Sequence, residues 1–289
     1  MSVRDEVVIT CAMSGVIANR NQCPAIPYTV EEYAAEAKRA YDAGAAVVHI
    51  HARNDDGSPS YEPERYAAIA KAIKEAAPEI ILNFSTGAIT ITKEEKIAPV
   101  IHCKPEIAAL NMGTMNYAKY SPKRKEFVFE FQFLNPISEI SFLIEQMNAN
   151  GVQPEMECFD TGHISTIYPL IDQGLLKPPY QFSFIMGVIG GVDTSIESLA
   201  NMARLTPAGS VWEVIGISHE QWRLLAGALS LGGNIRCGLE DHLYTEPGVM
   251  ASSNGDLVGK AARMVHDIGR KVVQGEEARK VLGLDQRGS

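Results

Sequence analysis

The sequence predicts an α/β protein folded as a single (β/α)8 TIM barrel, with one domain running over residues 1–289. Eight short β-branched or apolar runs alternate with segments of helical periodicity, and no linker rich in Pro, Gly or Ser divides the chain. The first turn from strand to helix, MSGVIANRNQCPAIP, is too long and too poor in glycine for a dinucleotide-binding fingerprint. That disfavours the competing architecture, an open doubly wound sheet.

The strand runs, in order, are VVITC (7–11), VVHIH (47–51), IILNFS (80–85), IAALN (107–111), PEMEC (154–158), QFSFIM (181–186), SVWEVI (210–215) and NIRCG (234–238). Helices are expected at 30–43, 63–77, 93–100, 137–149, 165–173, 196–204, 220–231 and 257–273. The first helix has a readable start and stop. Thr29 followed three residues later by Glu32 forms a capping box, and Gly44 suits the left-handed position beyond its end. FVFEFQF (127–133) alternates like an extra strand or hairpin arm and has no place in the count of eight, so it reads as an insertion. No repeat of 20 to 50 residues and no low-complexity tract is present.

Composition narrows the partners. The chain is 46% hydrophobic and 21% charged, ordinary for a soluble globular enzyme, and no window approaches the roughly 18 unbroken apolar residues of a membrane span. MSVRDEVVIT carries charges where a secretory signal needs its apolar segment, so a cytoplasmic protein is expected. A net charge of −9 disfavours nonspecific binding to nucleic acid or to anionic lipid. The densest basic run, KYSPKRK (119–125), reads as a solvated loop rather than an anion site. Five scattered cysteines without a CxxC pair argue against a disulfide framework and against a thiolate zinc site. A metal here would use nitrogen and oxygen ligands.

The stretch VVHIHAR supplies the nitrogens. On a strand, residues i and i+2 point to the same side, so His49 and His51 can share a target, and they lie at the strand end, where barrel enzymes build their sites. A zinc needs a third protein ligand and keeps a position open when it is catalytic. The strongest candidate is in the eighth strand run, NIRCGLEDHLY, which breaks at Gly238 and then presents Glu240 and Asp241. A site of His49, His51 and Glu240 would leave room for substrate, and Arg236 could hold Asp241 ionised as a base. Other strand ends are polar as well: Ser85 and Thr86 with Gly87, then Asn111 and Thr114, then Glu155 and Glu157 with Asp160 and His163. MGVIGG, after the sixth strand, is only a weak phosphate-cradle signal.

Taken in sequence, TCAMSG, PYTVEEYAAEAKRAYDAGAAVVHIHAR, NFSTG, LNMGT, PEMECFDTG, FIMGVIGG and IRCGLEDHLY resemble the beta-keto acid cleavage enzymes over nearly the whole chain. The resemblance implies a zinc-dependent TIM barrel that assembles as a homotetramer. It implies a reaction in which a beta-keto acid and acetyl-CoA give acetoacetate and the CoA thioester of the remaining carbons. It places the Zn2+ ligands on His49, His51 and Glu240, the base on Asp241, its paired arginine on Arg236, a catalytic serine on Ser85 and a substrate-pocket threonine on Thr114. Thr86 and Asn111 are further substrate-binding candidates.

One departure bears on the substrate. Where the family's lysine-fermentation member has a glutamate for the substrate's amino group, this chain has Ile17, read as a buried side chain unable to pair with an ammonium. An apolar tail is therefore expected, although Asn19 and Arg20 in the same loop keep a hydroxylated or anionic tail open. The competing readings are a metal-dependent hydrolase, a decarboxylase or aldolase acting without CoA, and a non-enzymatic metal-binding oligomer. The hydrolase needs further metal-binding histidines near strands five and six, where only His163 stands.

Overall fold

The computed structural model describes residues 4–286, so the first three residues of the N-terminal reading lie outside the described residues. Eight parallel strands close into a barrel: β1 (Ile9–Ala12), β2 (Val47–Ile50), β3 (Ile81–Ser85), β4 (Ile107–Asn111), β5 (Gln153–Cys158), β6 (Tyr180–Met186), β7 (Ser210–Gly216) and β8 (Asn234–Cys237). Each strand pairs with its successor, and β8 returns to β1 with Arg236 opposite Thr10. All eight strand runs are present, within a residue or two of the expected limits.

The expected helices are largely recovered: α1 (Val30–Ala43), α2 (Pro63–Ala76), α3 (Lys93–Cys103) and α4 (Ile137–Ala149). The capping box at Thr29 and Glu32 is formed, and Gly44 ends α1 at φ 119°. The helix expected at 165–173 is instead two short ones, α5 (Thr161–Ser165) and α6 (Ile167–Asp172). Asp160 caps the first of them, and Pro169, having no N–H, cannot continue the ladder back to Ser165. The next two are α7 (Ile196–Leu205) and α8 (Gln221–Leu231).

The last expected helix, 257–273, is displaced. It runs as α9 (Asn254–Asp267), started by Ser253, whose side chain accepts the Asp256 N–H. Gly269 then turns the chain at φ 81°, and Lys271–Val272 pairs in parallel with Glu6–Val7. A tenth helix, α10 (Gly275–Leu282), follows.

Outward-facing side chains such as Ile9, Cys11, Val48, Ile50, Leu82 and Phe84 pack against the helices and form the main core. At the N-terminal end Val8, Val47, Ile81 and Ile107 make an apolar floor, closed by Ala278 and Leu282 of α10. Above that floor the interior is polar, unlike the layers of Val, Ile and Leu that usually fill such barrels. Thr10 donates to Glu213 (2.6 Å), Ser183 to the other oxygen of Glu213 (3.2 Å), and Asn83 to Glu155 (2.8 Å). A barrel filled this way spends hydrophobic burial on carboxylates, a pattern that marks functional sites more often than structural ones.

FVFEFQF is a hairpin arm, as its alternation suggests. Glu126–Phe133 pairs antiparallel with Met115–Ser121, and KYSPKRK forms the turn. The partner strand was not legible, because MNYAKYS carries no long apolar alternation. The hairpin leaves β4 and stands over the C-terminal mouth of the barrel, tied to the loop after β6 by a bridge between Ala118 and Ile189.

Candidate functional site

His49 sits near the end of β2 and His51 just beyond it, with ring centroids 5.3 Å apart. Tyr33 of α1 and Ser14 both donate to the backbone oxygen of His51, at 2.6 and 3.0 Å, fixing where this strand ends. On the other side of β1, the turn after β8 brings Glu240 to 3.5 Å from His51 Nε2 and 3.9 Å from His49 Nε2. The approach depends on Gly15 in the first loop. A Cβ at that residue, which has φ 52°, would strike the Glu240 side chain. Arg53 fastens this loop by donating to the carbonyls of Ser14, Gly15, Ala18 and Gly57.

The three side chains suit a metal. Both ring nitrogens of His49 and Oε2 of Glu240 are buried without a hydrogen-bond partner among the described residues, an arrangement too costly to persist unless something else engages them. Burial, then Arg236, holds the His49 imidazole well below its usual range, so it is neutral and its lone pair is available. Burial by itself would raise the Glu240 carboxyl, but Arg236 and the two histidines drive it well below the ordinary value. His49 with its neutral imidazole, His51 and the Glu240 carboxylate, with ligand atoms within 4.8 Å of one another, form a nitrogen and oxygen donor set of the kind that can hold Zn2+. A second group, His49 with Glu155 and Glu157, also has its donor atoms within 4.8 Å, but it lies deeper in the barrel.

Arg236, 2% exposed, organises the carboxylates. Its Nε and Nη2 donate to the two oxygens of Asp241 at 3.0 Å each, Nη2 reaches Glu240 at 2.7 Å, and Nη1 reaches Glu157 at 3.5 Å. Arg236 was expected to hold Asp241 ionised as a base. Burial pushes the Asp241 carboxyl up to about 6 with Arg236 opposing, which leaves it mostly ionised at neutral pH. Burial also pushes Glu157 up to about 8, Arg236 opposing, so at neutral pH it keeps its proton. The mouth therefore offers an ionised carboxylate suited to abstracting a proton and, beside it, a carboxylic acid able to donate one.

These groups line a cavity of about 990 Å3. Ser85 and Asn111 line it, and Ser85 Oγ accepts the Gly87 N–H at 3.1 Å. Two other candidates do not reach it. The Thr86 hydroxyl donates to Ala109 within the sheet, and Thr114 accepts the Asn135 N–H at the base of the hairpin. Ile17 lines the cavity but is 58% exposed, not buried as expected. What survives of the argument is that this wall presents no carboxylate. Arg20 is occupied: it stacks on Tyr28, donates to the Ile26 carbonyl and pairs with Glu32, so it is not free for an anionic tail. His163 is turned away too, its Nδ1 accepting the Phe159 N–H at 3.2 Å, which removes the histidine that a hydrolase reading needed.

The loop GVIGG has a packing role. A Cβ at Gly190, which has φ 103°, would overlap the Asn116 carbonyl oxygen, so the glycine lets this loop close on the hairpin. The aromatic wall so assembled, Tyr117 stacked on Phe131 at 5.0 Å with Phe129, Phe133 and Phe159 around it, was the part of the site that sequence reasoning missed. Its one signal was the alternation of FVFEFQF.

Fold and site together define a (β/α)8-barrel protein with a metal-competent triad and a buried Arg–Asp pair at the C-terminal mouth. Residues 6–284 match the model of the beta-keto acid cleavage enzyme family, and the chain belongs to that family. It is 39% identical over 283 residues to a 3-keto-5-aminohexanoate cleavage enzyme of Acetoanaerobium sticklandii, covering 98% of this chain and 100% of that one. It is 32% identical over 303 residues to a 3,5-dioxohexanoate:acetyl-CoA acetone transferase of Paraburkholderia graminis, covering 98% and 97%. Among solved structures, a ternary complex of ObcA with a C4-CoA adduct and oxalate shares the fold, with a TM-score of 0.76 at 21% identity over 90% of this chain and 68% of that one.

Proposed function

We propose that this protein condenses a beta-keto acid with acetyl-CoA, releasing acetoacetate and the acyl-CoA of the remaining carbons, with Zn2+ held by His49, His51 and Glu240. The observation that carries the reading is the convergence of His51, Glu240 and the Arg236–Asp241 pair on one cavity, with buried His49 holding its donor atoms within 4.8 Å of those of His51 and Glu240. It is supported by membership of the family and by the acetyl-CoA transferase among its relatives.

A bound zinc would act as a Lewis acid on the keto oxygen, lowering the pKa of the CH2 between ketone and carboxylate. Asp241, oriented by the two-point grip of Arg236, takes a proton from that carbon. The carbon then attacks the thioester, CoA moves to the former keto carbon, and cleavage of the bond between that carbon and the attacking carbon frees acetoacetate, whose CH2 takes back the proton held by Asp241. A carboxyl near 6 is mostly ionised at neutral pH yet more basic than an exposed aspartate, which favours proton abstraction. Ser85 Oγ, lining the cavity beside Gly87, orients the substrate carboxylate or an oxyanion by hydrogen bonding.

We assign the wall of Ile17, Ala88 and Ile89 to the substrate tail. It offers apolar surface and no carboxylate for an ammonium, and Arg20 is engaged elsewhere, so a short or medium apolar tail is the preferred substrate. The test is mass spectrometry of zinc-loaded protein with acetyl-CoA and beta-keto acids that differ only in the tail. A new acyl-CoA together with acetoacetate is expected from the apolar members. Absence of any CoA product, with zinc confirmed bound, would reject the reading in favour of chemistry without CoA.

A further inference from the structure

The hairpin carries a second feature that the proposed reaction leaves unassigned. In its antiparallel register Met115 faces Phe133, Tyr117 faces Phe131 and Lys119 faces Phe129, so these six side chains stand on one side. Tyr117, Lys119, Phe129, Phe131 and Phe133 line the cavity. The row is apolar and aromatic from the barrel outward and ends in a cation.

Lys119 is also the only unpaired cation of the cavity wall among the described residues. Arg236, the other Lys or Arg lining it, is committed to Asp241, Glu240 and Glu157. Beyond Lys119, the turn carries Lys123, Arg124 and Lys125, and of these four only Arg124 makes an ion pair, with Glu126. On a chain of net charge −9, four cations in seven residues at the lip of a cavity are a local reversal of sign. At roughly 3.3 Å per residue, the cations lie about 13–20 Å outward from the hairpin base at Met115.

We propose that the hairpin is the CoA-binding arm. The pantetheine chain runs along Tyr117, Phe131 and Phe129, and Lys119 with the cations of the turn holds the phosphates. This rests on the reading that acetyl-CoA is the co-substrate. The match is one of chemistry and order: a reacting thioester must reach Asp241, a long uncharged arm follows, and polyanionic charge comes last. The Ala118–Ile189 bridge and the close contact of Gly190 with Asn116 hold the arm in place over the mouth.

The test compares the full-length protein with Lys119→Glu and Lys119→Arg. CoA binding is measured by titration calorimetry, and turnover with acetyl-CoA and with acetyl-pantetheine, which lacks the nucleotide and its phosphates. Lys119→Glu is expected to weaken CoA binding roughly tenfold or more, the loss of a charge-assisted contact. Lys119→Arg is expected to restore it, with KM for acetyl-pantetheine and for the keto acid unchanged. Equal CoA affinity in all three proteins, or equal losses with both thioesters, would overturn the assignment, as would a wild type that binds no CoA. A wild type that binds CoA in a Lys119-dependent way but converts no keto acid would sink the proposed reaction and leave the arm standing.

Discussion

Arg236 grips Asp241 through two parallel hydrogen bonds of 3.0 Å, both residues being buried inside the barrel, while the same guanidinium reaches Glu240 at 2.7 Å. One cation thus positions both the assigned base and an assigned metal ligand. The two assignments can be separated by experiment.

Asp241→Asn keeps the size of the side chain and removes its basicity. Turnover is expected to fall by about 10²-fold or more, the scale of losing a positioned general base. Zinc content, measured by atomic emission, is expected to remain at one per chain. Unchanged turnover would remove Asp241 as the base.

Removing the metal or a ligand should act differently. His49→Ala is expected to weaken zinc binding, because His49 contributes a neutral buried nitrogen. In wild type, zinc at a hundredfold excess over its Kd should add about 2.7 kcal/mol of stability, seen as a rise in Tm that a chelator reverses. A Tm indifferent to both zinc and chelator would count against the triad as a metal site.

Glu213 predicts a pH dependence of stability. Burial, then Glu155, pushes its carboxyl up to about 8 from an ordinary 4.5, with Thr10, Arg236 and Ser183 opposing. Between those values the folded protein holds a proton that the unfolded chain has released, so this residue's contribution falls as pH rises through the window and levels off above it. Glu213→Gln, which cannot ionise, should be more stable than wild type at pH 8 by about 1–3 kcal/mol, the difference vanishing near pH 4.5. Denaturant melts at both values check this, and a constant difference would show that Glu213 does not titrate in the window.

Tail preference turns on Ile17. Its exposure on the cavity wall means that Ile17→Glu places a carboxylate there at little cost in folding. The variant should gain kcat/KM on an aminated beta-keto acid and lose it on apolar ones. Identical selectivity in both proteins would move the tail to another wall.

Much of this was legible along the chain because its signals are local. Strand runs show as short apolar segments, the start and stop of α1 as Thr29, Glu32 and Gly44, and the histidines as a pair of period two at a strand end. The last helix departs from the expected 257–273 because Ser253 caps its start three residues earlier, at Asn254, and the 271–273 run, apolar enough to extend a helix, pairs with the N-terminal strand. Ile17 departs from its expected burial because burial depends on what covers a side chain, and the described residues leave 58% of it exposed.

The sequence by itself determined the barrel, the candidate donor set His49, His51 and Glu240, and the kinship of the chain, since each is written in residue type and spacing. Tertiary structure alone decided which polar strand ends reach the cavity, turning Thr86 and Thr114 away and bringing Glu157 in. It decided the balance at Asp241, where burial outweighs the neighbouring arginine, and it raised the hairpin with Lys119 over the mouth. The reason is physical: spacing sets which way a side chain leaves its own strand, whereas burial, charge balance and shared walls are sums over groups that meet only when the barrel closes.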